Sequence, residues 1–219
     1  MSGLSVALAD RVGLAWAQQT VTARHYRHSP VDDRSRPLAY LVMRGMERVG
    51  VLMCNRPEST VCRPLYGSLT DLAAGLVTWS RWSVINLCRV WLDPRIQRDG
   101  DWYVPSAATW AIGHVRRRVV LDYLLMRPPV YLDEPYELRL MLSYNQPAHH
   151  QGTIYKAAGF TLARTNAEGL ETYTHPLRRL QPHEQRVVRE VSERDNRGRR
   201  YRSMRATADV RQLALGGVL

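Results

Sequence analysis

Lysine is nearly absent from this sequence, because Lys156 is the single lysine among 31 basic residues. A GC-rich genome explains the preference for arginine, but it does not explain the excess of basic residues over the 20 acidic ones. The resulting formal net charge of +11 predicts a polyanionic partner or substrate. Arginine suits such a role because its guanidinium binds phosphate through two parallel hydrogen bonds.

Cysteine is also scarce: Cys54, Cys62 and Cys88 form no even, closely spaced set and include no CxxC pair. Such a count is typical of a reducing cytosol and argues against a zinc ribbon. The sequence also lacks an apolar run of the ~18 residues needed to span a bilayer, and it does not begin with a basic segment followed by an apolar one. We therefore expect a cytoplasmic protein with no membrane partner.

Predicted helices and strands alternate along the first three quarters of the chain. Apolar spacing, Val- and Leu-rich runs, and Pro or Gly at the ends predict the elements. They are a helix over 4–24, a hairpin over 38–54 that turns near Gly45, a short helix over 68–76, a strand over 82–93, a helix over 106–126 capped by Ser106, a strand over 138–144, a short helix after 151 and a strand over 160–165. This order predicts an α/β (α+β) fold, in which a mixed central sheet carries helices on both faces.

The C-terminal part of the sequence has a different composition. Residues 175–206 carry ten arginines against four acidic residues, with little Val or Leu. We therefore divide the chain into a domain over 1–174 and a basic, arginine-rich extension over 175–219. The extension is either a mobile arm or a solvated helix that orders on nucleic acid.

Three stretches together resemble the Mom-like DNA-modification proteins of bacteriophages, a group related to the GNAT acyltransferases. The stretches are His25-Tyr26, Asn-Leu-Cys-Arg-Val-Trp over 86–91, and SYNQPAHHQGTIYKAAGF over 143–160. The resemblance covers roughly residues 20–170. It implies a GNAT-like fold and a transferase that adds an acyl- or aminoacyl-type group to an exocyclic amine of a DNA base, adenine N6 above all. Such a modification protects phage DNA from restriction, and the donor implied is acyl-CoA or a related acyl or aminoacyl compound.

The resemblance also implies roles for several residues. Tyr155 would protonate the leaving group, whereas its alternative role is to pack a ring in the core. His25 would be a general base and Tyr26 would stack on an extruded base, unless the pair merely ends a helix. Four residues would line the substrate side of the site, namely Asn86, Ser143, Asn145 and Gln146.

Some positions depart from the family pattern. Asn86 stands where the family commonly has Glu, and Asn145-Gln146 stand where it commonly has Asp. An amide takes no proton at neutral pH, so another base serves here, or the activity is different or lost. The loop over 97–106 keeps one glycine of the usual phosphate-binding pattern. Candidates to hold a donor phosphate are Arg95, Arg98 and Ser106.

The partner that we expect is double-stranded DNA, and the oligomeric state stays open. The arginines predicted to contact its phosphates, unless they form a merely solvated face, are Arg116, Arg117, Arg118, Arg178, Arg179, Arg199 and Arg200. The histidines have no ligand spacing that demands a metal, so none is predicted. Two other functions remain open: a GNAT-like transferase acting on a small amine or an aminoacyl-tRNA, and a nucleic-acid-binding protein on a degenerate GNAT-like scaffold.

Overall fold

A computed structural model describes residues 3–32, 37–57, 83–97, 100–126 and 138–194. The strands are β1 (Leu4–Leu8), β2 (Leu38–Arg44), β3 (Glu47–Asn55), β4 (Val84–Leu92), β5 (Leu140–Asn145), β6 (Thr161–Thr165) and β7 (Glu171–Pro176). The helices are α1 (Arg11–Arg24), α2 (Ala107–Met126) and α3 (Thr153–Ala157), with a 3₁₀ turn over Pro94–Ile96 and a further helix over 182–194. No helix within these ranges is long and apolar enough to cross a membrane.

The strands form one seven-stranded sheet in the order β1-β2-β3-β4-β5-β7-β6. Every neighbouring pair is antiparallel except β4 and β5, which are parallel. The mixed α/β fold predicted from the sequence is therefore confirmed. The parallel ladder is short, since it joins only Val84–Asn86 to Leu140–Leu142. Beyond Asn86 and Leu142 the two strands run on without pairing with each other, so the sheet opens between them.

A β-bulge interrupts β4 on its other side, where it pairs with β3. Leu87 pairs with Cys54, and Arg89 pairs with Met53, so Cys88 is an extra residue with no partner in β3. A bulge changes which face of the sheet the following side chains meet. Cys88 and Arg89, although consecutive, consequently line the same cavity.

Helix α1 packs on one face of the sheet and ends where the cavities begin. Asp10 caps its first turn, because its carboxylate accepts a hydrogen bond from the Gly13 N–H at 2.7 Å. Ala17 and Val21 are fully buried against β2 and β3. The helix ends at His25, whose backbone is extended, with φ −82° and ψ 143°.

The prediction of one helix over 4–24 is wrong in its first part, because Leu4–Leu8 is a strand. Exposure alternates along β1, and the strand pairs with β2 so that Leu4 lies opposite Arg44 and Leu8 lies opposite Tyr40. The alternation in Leu-Ser-Val-Ala-Leu and the capping Asp10 were the available signals.

The other predicted elements within the described ranges are present, with ends shifted by a few residues. Sequence reasoning assigned no strand to Glu171–Pro176, and this strand crosses the predicted boundary after residue 174. A helix covers 182–194, and Val188 and Ser192 on it are buried, so it is not a fully solvated helix; ordering on nucleic acid stays a prediction. The short helix predicted over 68–76 lies outside the described residues.

The chain divides into two compact units. The first comprises Met1–Val120 and Glu137–Arg179, and the second comprises Leu121–Tyr136 and Leu180–Leu219. The whole sheet and both cavities described below belong to the first unit. In the second unit, the Gln181 N–H donates to the Glu184 carboxylate at 2.8 Å, which caps the helix over 182–194.

Gly45 in the β2–β3 turn offers a test of backbone strain without a packing change. Its φ is +60°, and a Cβ placed there meets no atom within 4 Å. We expect Gly45→Ala to lower the free energy of unfolding by about 1 kcal/mol, and Gly45→Asn by less, because Asn tolerates the left-handed region better. Urea unfolding followed by circular dichroism measures both.

Gly113→Ala is the matched control, because Gly113 lies inside α2 and its added Cβ meets only the end of Arg117 at 3.8 Å. There the same substitution should raise stability by roughly 0.5–1 kcal/mol. If both substitutions changed the free energy of unfolding in the same direction, this account of the turn would be contradicted.

Candidate functional site

Ser143 marks the place where β4 and β5 separate. The last pair of the parallel ladder is Asn86–Leu142, so Leu87 and Ser143 are the next residues on each strand. Instead of continuing the backbone ladder, the Ser143 hydroxyl donates to the Leu87 carbonyl at 2.8 Å. Ser143 is only 1% exposed. This side-chain bond satisfies the freed carbonyl and holds the opening of the sheet in place.

Two neighbouring cavities lie at this opening, with volumes of about 660 Å³ and about 340 Å³. Four residues line both of them: Tyr26, Cys88, Tyr144 and His149. The larger cavity also reaches Asn86, Gln146 and Arg89, and the smaller one reaches His25, His150 and Tyr155. The structure thus brings most of the predicted catalytic residues to one place.

Tyr155 sits in α3, and the surrounding aromatic side chains fix its ring. The ring stacks on Tyr173 with centroids 5.6 Å apart and meets the edge of Phe160 at 5.9 Å. Gly152 starts α3 with φ +67°, and a Cβ there would lie 2.6 Å from the Tyr173 hydroxyl. Only glycine therefore suits this close approach in this conformation. The backbone and the aromatic stack together place the Tyr155 phenol in the smaller cavity.

The Tyr155 phenol is a proton donor at neutral pH. Burial raises its pKa, and a hydrogen bond with the Ser143 hydroxyl offsets part of that rise. Tyr155 is therefore protonated at neutral pH, and Tyr173 and Phe160 align its ring.

Aromatic rings from α1 and from the segment before α3 meet at the cavities. The Tyr26 ring lies 4.3 Å from His25, 4.9 Å from His149 and 5.0 Å from His150, centroid to centroid. Tyr26 is half-buried and lines both cavities. A flat, polarizable surface of this kind can stack on an aromatic ligand.

His25 is held neutral, with its proton on a defined nitrogen. The Arg27 N–H donates to His25 Nδ1 at 3.2 Å, which assigns the proton of the neutral ring to Nε2. Burial, followed by the charge of Arg89, lowers the pKa of His25 to about 4. Near neutral pH the Nε2 atom therefore donates a hydrogen bond rather than accepting a proton.

Two of the amides that were predicted to line the substrate side, Asn86 and Asn145, are held by their NH₂ groups. Asn86 donates to the Asn55 side-chain oxygen at 3.0 Å, and Asn145 donates to the Glu171 carboxylate at 2.8 Å. The Oδ1 atoms of Asn86 and Asn145 are buried, and neither has a hydrogen-bond partner in the described part of the chain. Asn86 lines the larger cavity, although its Oδ1 atom itself is buried.

Arg95 and Ser106 do not join this site, since neither lines a cavity. Arg95 binds the carboxylates of Glu47 at 2.7 Å and Asp93 at 2.8 Å, which raise its pKa, and its guanidinium lies 4.2 Å from the Trp102 ring centroid. A guanidinium already neutralised in this way does not fit the predicted phosphate ligand. Arg98 lies outside the described residues.

Three of the arginines predicted to contact DNA donate to backbone carbonyls of the protein itself. Arg116 donates to the Ala158 carbonyl at 2.7 Å and so supports the end of α3. Arg118 reaches the Val6 carbonyl at 3.4 Å. Arg178 donates to the Arg117 carbonyl at 2.7 Å and to that of Arg179 at 3.2 Å. Arg199 and Arg200 lie outside the described residues, so DNA contact by this set stays a prediction.

Three residues of the site were missed from the sequence: Tyr144, Arg27 and Arg89. The Tyr144 hydroxyl is buried and has no hydrogen-bond partner among the described residues. An arginine inside the apolar run of β4 was a signal that Arg89 has a special role. Cys88 also lines both cavities, but burial raises its pKa to about 12, so it is a thiol rather than a reactive thiolate.

The histidines gathered here do not make a metal centre. In the described ranges no group of three or more His, Cys, Asp or Glu side chains is placed to hold a metal ion. The contacts around Tyr26 are ring contacts instead.

Comparison with known proteins found similarity to solved structures only. No protein-family model and no curated protein matches the chain. The GNAT domain of S. lividans PAT is 11% identical, with a TM-score of 0.46, and the match covers 78% of this chain and 89% of that one. An aminoglycoside acetyltransferase in complex with coenzyme A and kanamycin is 13% identical, with a TM-score of 0.46, and the match covers 79% of this chain and 94% of that one.

A third similar structure is the Campylobacter jejuni N-acetyltransferase PseH in complex with acetyl coenzyme A. It is 8% identical, with a TM-score of 0.41, and the match covers 79% of this chain and 98% of that one. Identities and TM-scores at this level bear on neither the activity nor the substrate of this chain.

The lowered pKa of His25 makes stability depend on pH. Because the folded-state pKa of about 4 lies below the ordinary value of 6.5, the unfolded chain binds more protons between these values. Stability is therefore lost as pH falls through this window. Between about pH 7 and about pH 5 the loss from His25 should be about 2 kcal/mol.

His25→Asn keeps an acceptor for the Arg27 N–H but does not titrate, so this variant should lose about 2 kcal/mol less than the unmodified chain over the same interval. Urea unfolding at both pH values measures the difference. Equal losses in the two proteins would show that His25 is not held neutral by the fold.

Proposed function

We propose that this chain is a GNAT-like transferase that moves an acyl- or aminoacyl-type group to the exocyclic amine of a DNA base, with adenine N6 as the acceptor. The observation that carries the proposal is the protonated, aligned phenol of Tyr155, in a cavity at the opening between two parallel strands. Open sheets bind ligands where neighbouring strands diverge in this way.

Tyr155 supplies the proton that the transfer requires. The lone pair of the amine attacks the acyl carbon of the donor, and the bond from that carbon to the leaving atom breaks. The leaving atom keeps the electron pair and takes the phenolic proton of Tyr155. The proton released by the amine nitrogen then restores the phenol, so charge and atoms balance. A phenol with a raised pKa is suited to protonate a leaving atom of high basicity.

The aromatic surface around Tyr26 favours a flat acceptor. A base inside a duplex cannot reach an enclosed site, so an enzyme that modifies its amine must extrude it from the stack. The extruded ring would stack on Tyr26, and Asn86 and Gln146 offer amide groups to its polar edge. An aryl amine is a weak nucleophile, so positioning of this kind carries much of the rate enhancement.

Binding of an acyl-CoA donor receives no support from the predicted residues. Arg95 is neutralised by Glu47 and Asp93, and this disagrees with a role in holding the coenzyme phosphates. No step of the proposed reaction depends on that loop. Double-stranded DNA as the partner rests on the net charge of +11.

A second candidate function, nucleic-acid binding without catalysis, is favoured by one observation. The residues described around the smaller cavity include no Asp or Glu, so no carboxylate base stands beside Tyr155. A protein that only binds a base would need the stacking surface but not the acid. A small-amine acceptor, in turn, would not need the ring surface around Tyr26.

Removal of the phenolic proton distinguishes these functions. DNA from cells that express the full chain, digested to nucleosides and examined by mass spectrometry, should contain a deoxyadenosine adduct. Tyr155→Phe should lower the adduct by roughly 10²–10⁴-fold, because it removes a general acid, and leave DNA binding intact. Tyr103→Phe, which removes the hydroxyl of a 54% exposed side chain outside both cavities, should have no effect.

Full adduct levels in Tyr155→Phe would exclude Tyr155 from the mechanism. Unmodified DNA together with salt-dependent DNA binding would support the second candidate instead.

A further inference from the structure

Arg89 is a charged residue in the interior of the sheet. It is only 8% exposed, and it lines the larger cavity beside Asn86 and Cys88. One Nη1 hydrogen goes to the Cys88 carbonyl at 2.8 Å, and one Nη2 hydrogen goes to the Ser29 hydroxyl at 3.2 Å. The guanidinium has five N–H donors, so each Nη atom keeps one hydrogen, and Nε has no partner in the described part of the chain.

No carboxylate of the described residues compensates this charge. The ion pairs found within those ranges are both made by Arg95. Burial, and to a smaller extent the charge of Arg27, lower the pKa of Arg89. A guanidinium remains charged at neutral pH, and a buried charge without a counterion is costly. Among the described residues Arg89 is therefore a buried positive charge without a counterion, and an anion from outside could provide one.

Arg27 adds a second positive charge to the same cavity. It is exposed, it follows the end of α1, and its charge acts on both Arg89 and His25. Asp32 and Glu168 also line this cavity, but both are exposed, and neither is among the groups that act on Arg89. Arg89 is thus the buried charge in the wall of this cavity, whereas Arg27, Asp32 and Glu168 are exposed.

We infer that the larger cavity contains an oxyanion subsite, in which Arg89 and Arg27 bind a phosphate or carboxylate group of the acceptor substrate. The remaining Nη hydrogens of Arg89 form a fork that matches two oxygens of such a group. Binding of the anion rests on these two residues alone; its assignment to the acceptor rests on the proposed function.

The position of the subsite restricts the acceptor. Because Tyr26, Cys88 and Tyr144 line both cavities, one ligand can extend from Arg89 to Tyr155. Such a ligand carries its anionic group at one end and its amine at the other. The phosphate of a nucleotide and the carboxylate of a small amino acid both meet this description, and a free nucleobase does not.

Isothermal titration of the full chain with four probes tests this inference: inorganic phosphate, acetate, deoxyadenosine and deoxyadenosine 5′-monophosphate. We expect phosphate to bind, and the nucleotide to bind at least about tenfold more tightly than the nucleoside. Arg27→Gln should reduce that ratio to near one without unfolding the protein, since Arg27 is exposed. Arg89→Lys should weaken binding of phosphate because it keeps a charge but loses the fork.

Arg24→Gln is the matched control, because Arg24 is an exposed arginine in the last turn of α1 and lines neither cavity. This variant should keep the full preference for the nucleotide. Equal losses in Arg24→Gln and Arg27→Gln would show a general charge effect and overturn the subsite. Equal affinity of the unmodified chain for nucleoside and nucleotide would overturn it as well.

The four probes also separate the subsite from the proposed function. Arg27-dependent binding of phosphate, without any binding of nucleoside or nucleotide, supports the subsite and contradicts a base as the acceptor. Tighter binding of acetate than of phosphate supports the subsite with a carboxylate as its ligand. Failure of phosphate and acetate to bind, in a chain that still forms the deoxyadenosine adduct, overturns the subsite alone.

Discussion

The end of the hydrogen-bond ladder between β4 and β5 is the constraint on which the rest of the site depends. Parallel strands that stayed paired to their ends would leave no space between them, and Ser143 would face a closed sheet. Because pairing stops at Asn86 and Leu142, the Leu87 carbonyl needs another partner, and the Ser143 hydroxyl provides it. That same hydroxyl also lowers the pKa of the Tyr155 phenol and so offsets part of the effect of burial. One break in backbone pairing thus opens the sheet at the cavity and acts on its acid.

Burial acts on the titratable groups of the site in a consistent direction. It keeps the His25 ring, the Cys88 thiol and the Tyr155 phenol uncharged near neutral pH. The guanidinium of Arg89 cannot respond in this way, because its ordinary pKa lies far above neutral. The region around Tyr26 is therefore a neutral, aromatic environment beside a fixed positive charge, which separates recognition of a ring from recognition of an anion.

The sequence predicted the alternating order of helices and strands, the hairpin at Gly45 and the α3 corner, because these depend on local spacing and turn residues. It also predicted Tyr155 as a member of the site. It did not predict strand β1, whose five residues were absorbed into the helical pattern of α1. Nor did it predict the commitment of Arg95 to Glu47, since that contact joins residues far apart in sequence. The position of Arg89 at the cavity depends on a bulge, and its lack of a carboxylate partner among the described residues depends on tertiary packing; a single sequence displays neither.

The unpaired Cys88 has a consequence for how this strand tolerates change in length. Before the bulge, Asn86 faces the larger cavity; after it, Arg89 does, although an uninterrupted strand would place these two residues on opposite faces. A chain one residue shorter at this point would restore regular pairing of β4 with β3 and place the arginine two residues after Asn86, still on the same face of the sheet. It would keep its cation at the cavity but lose the thiol side chain that lines both cavities. The bulge therefore adds one side chain to the wall of the site without turning the residues that follow it to the other face.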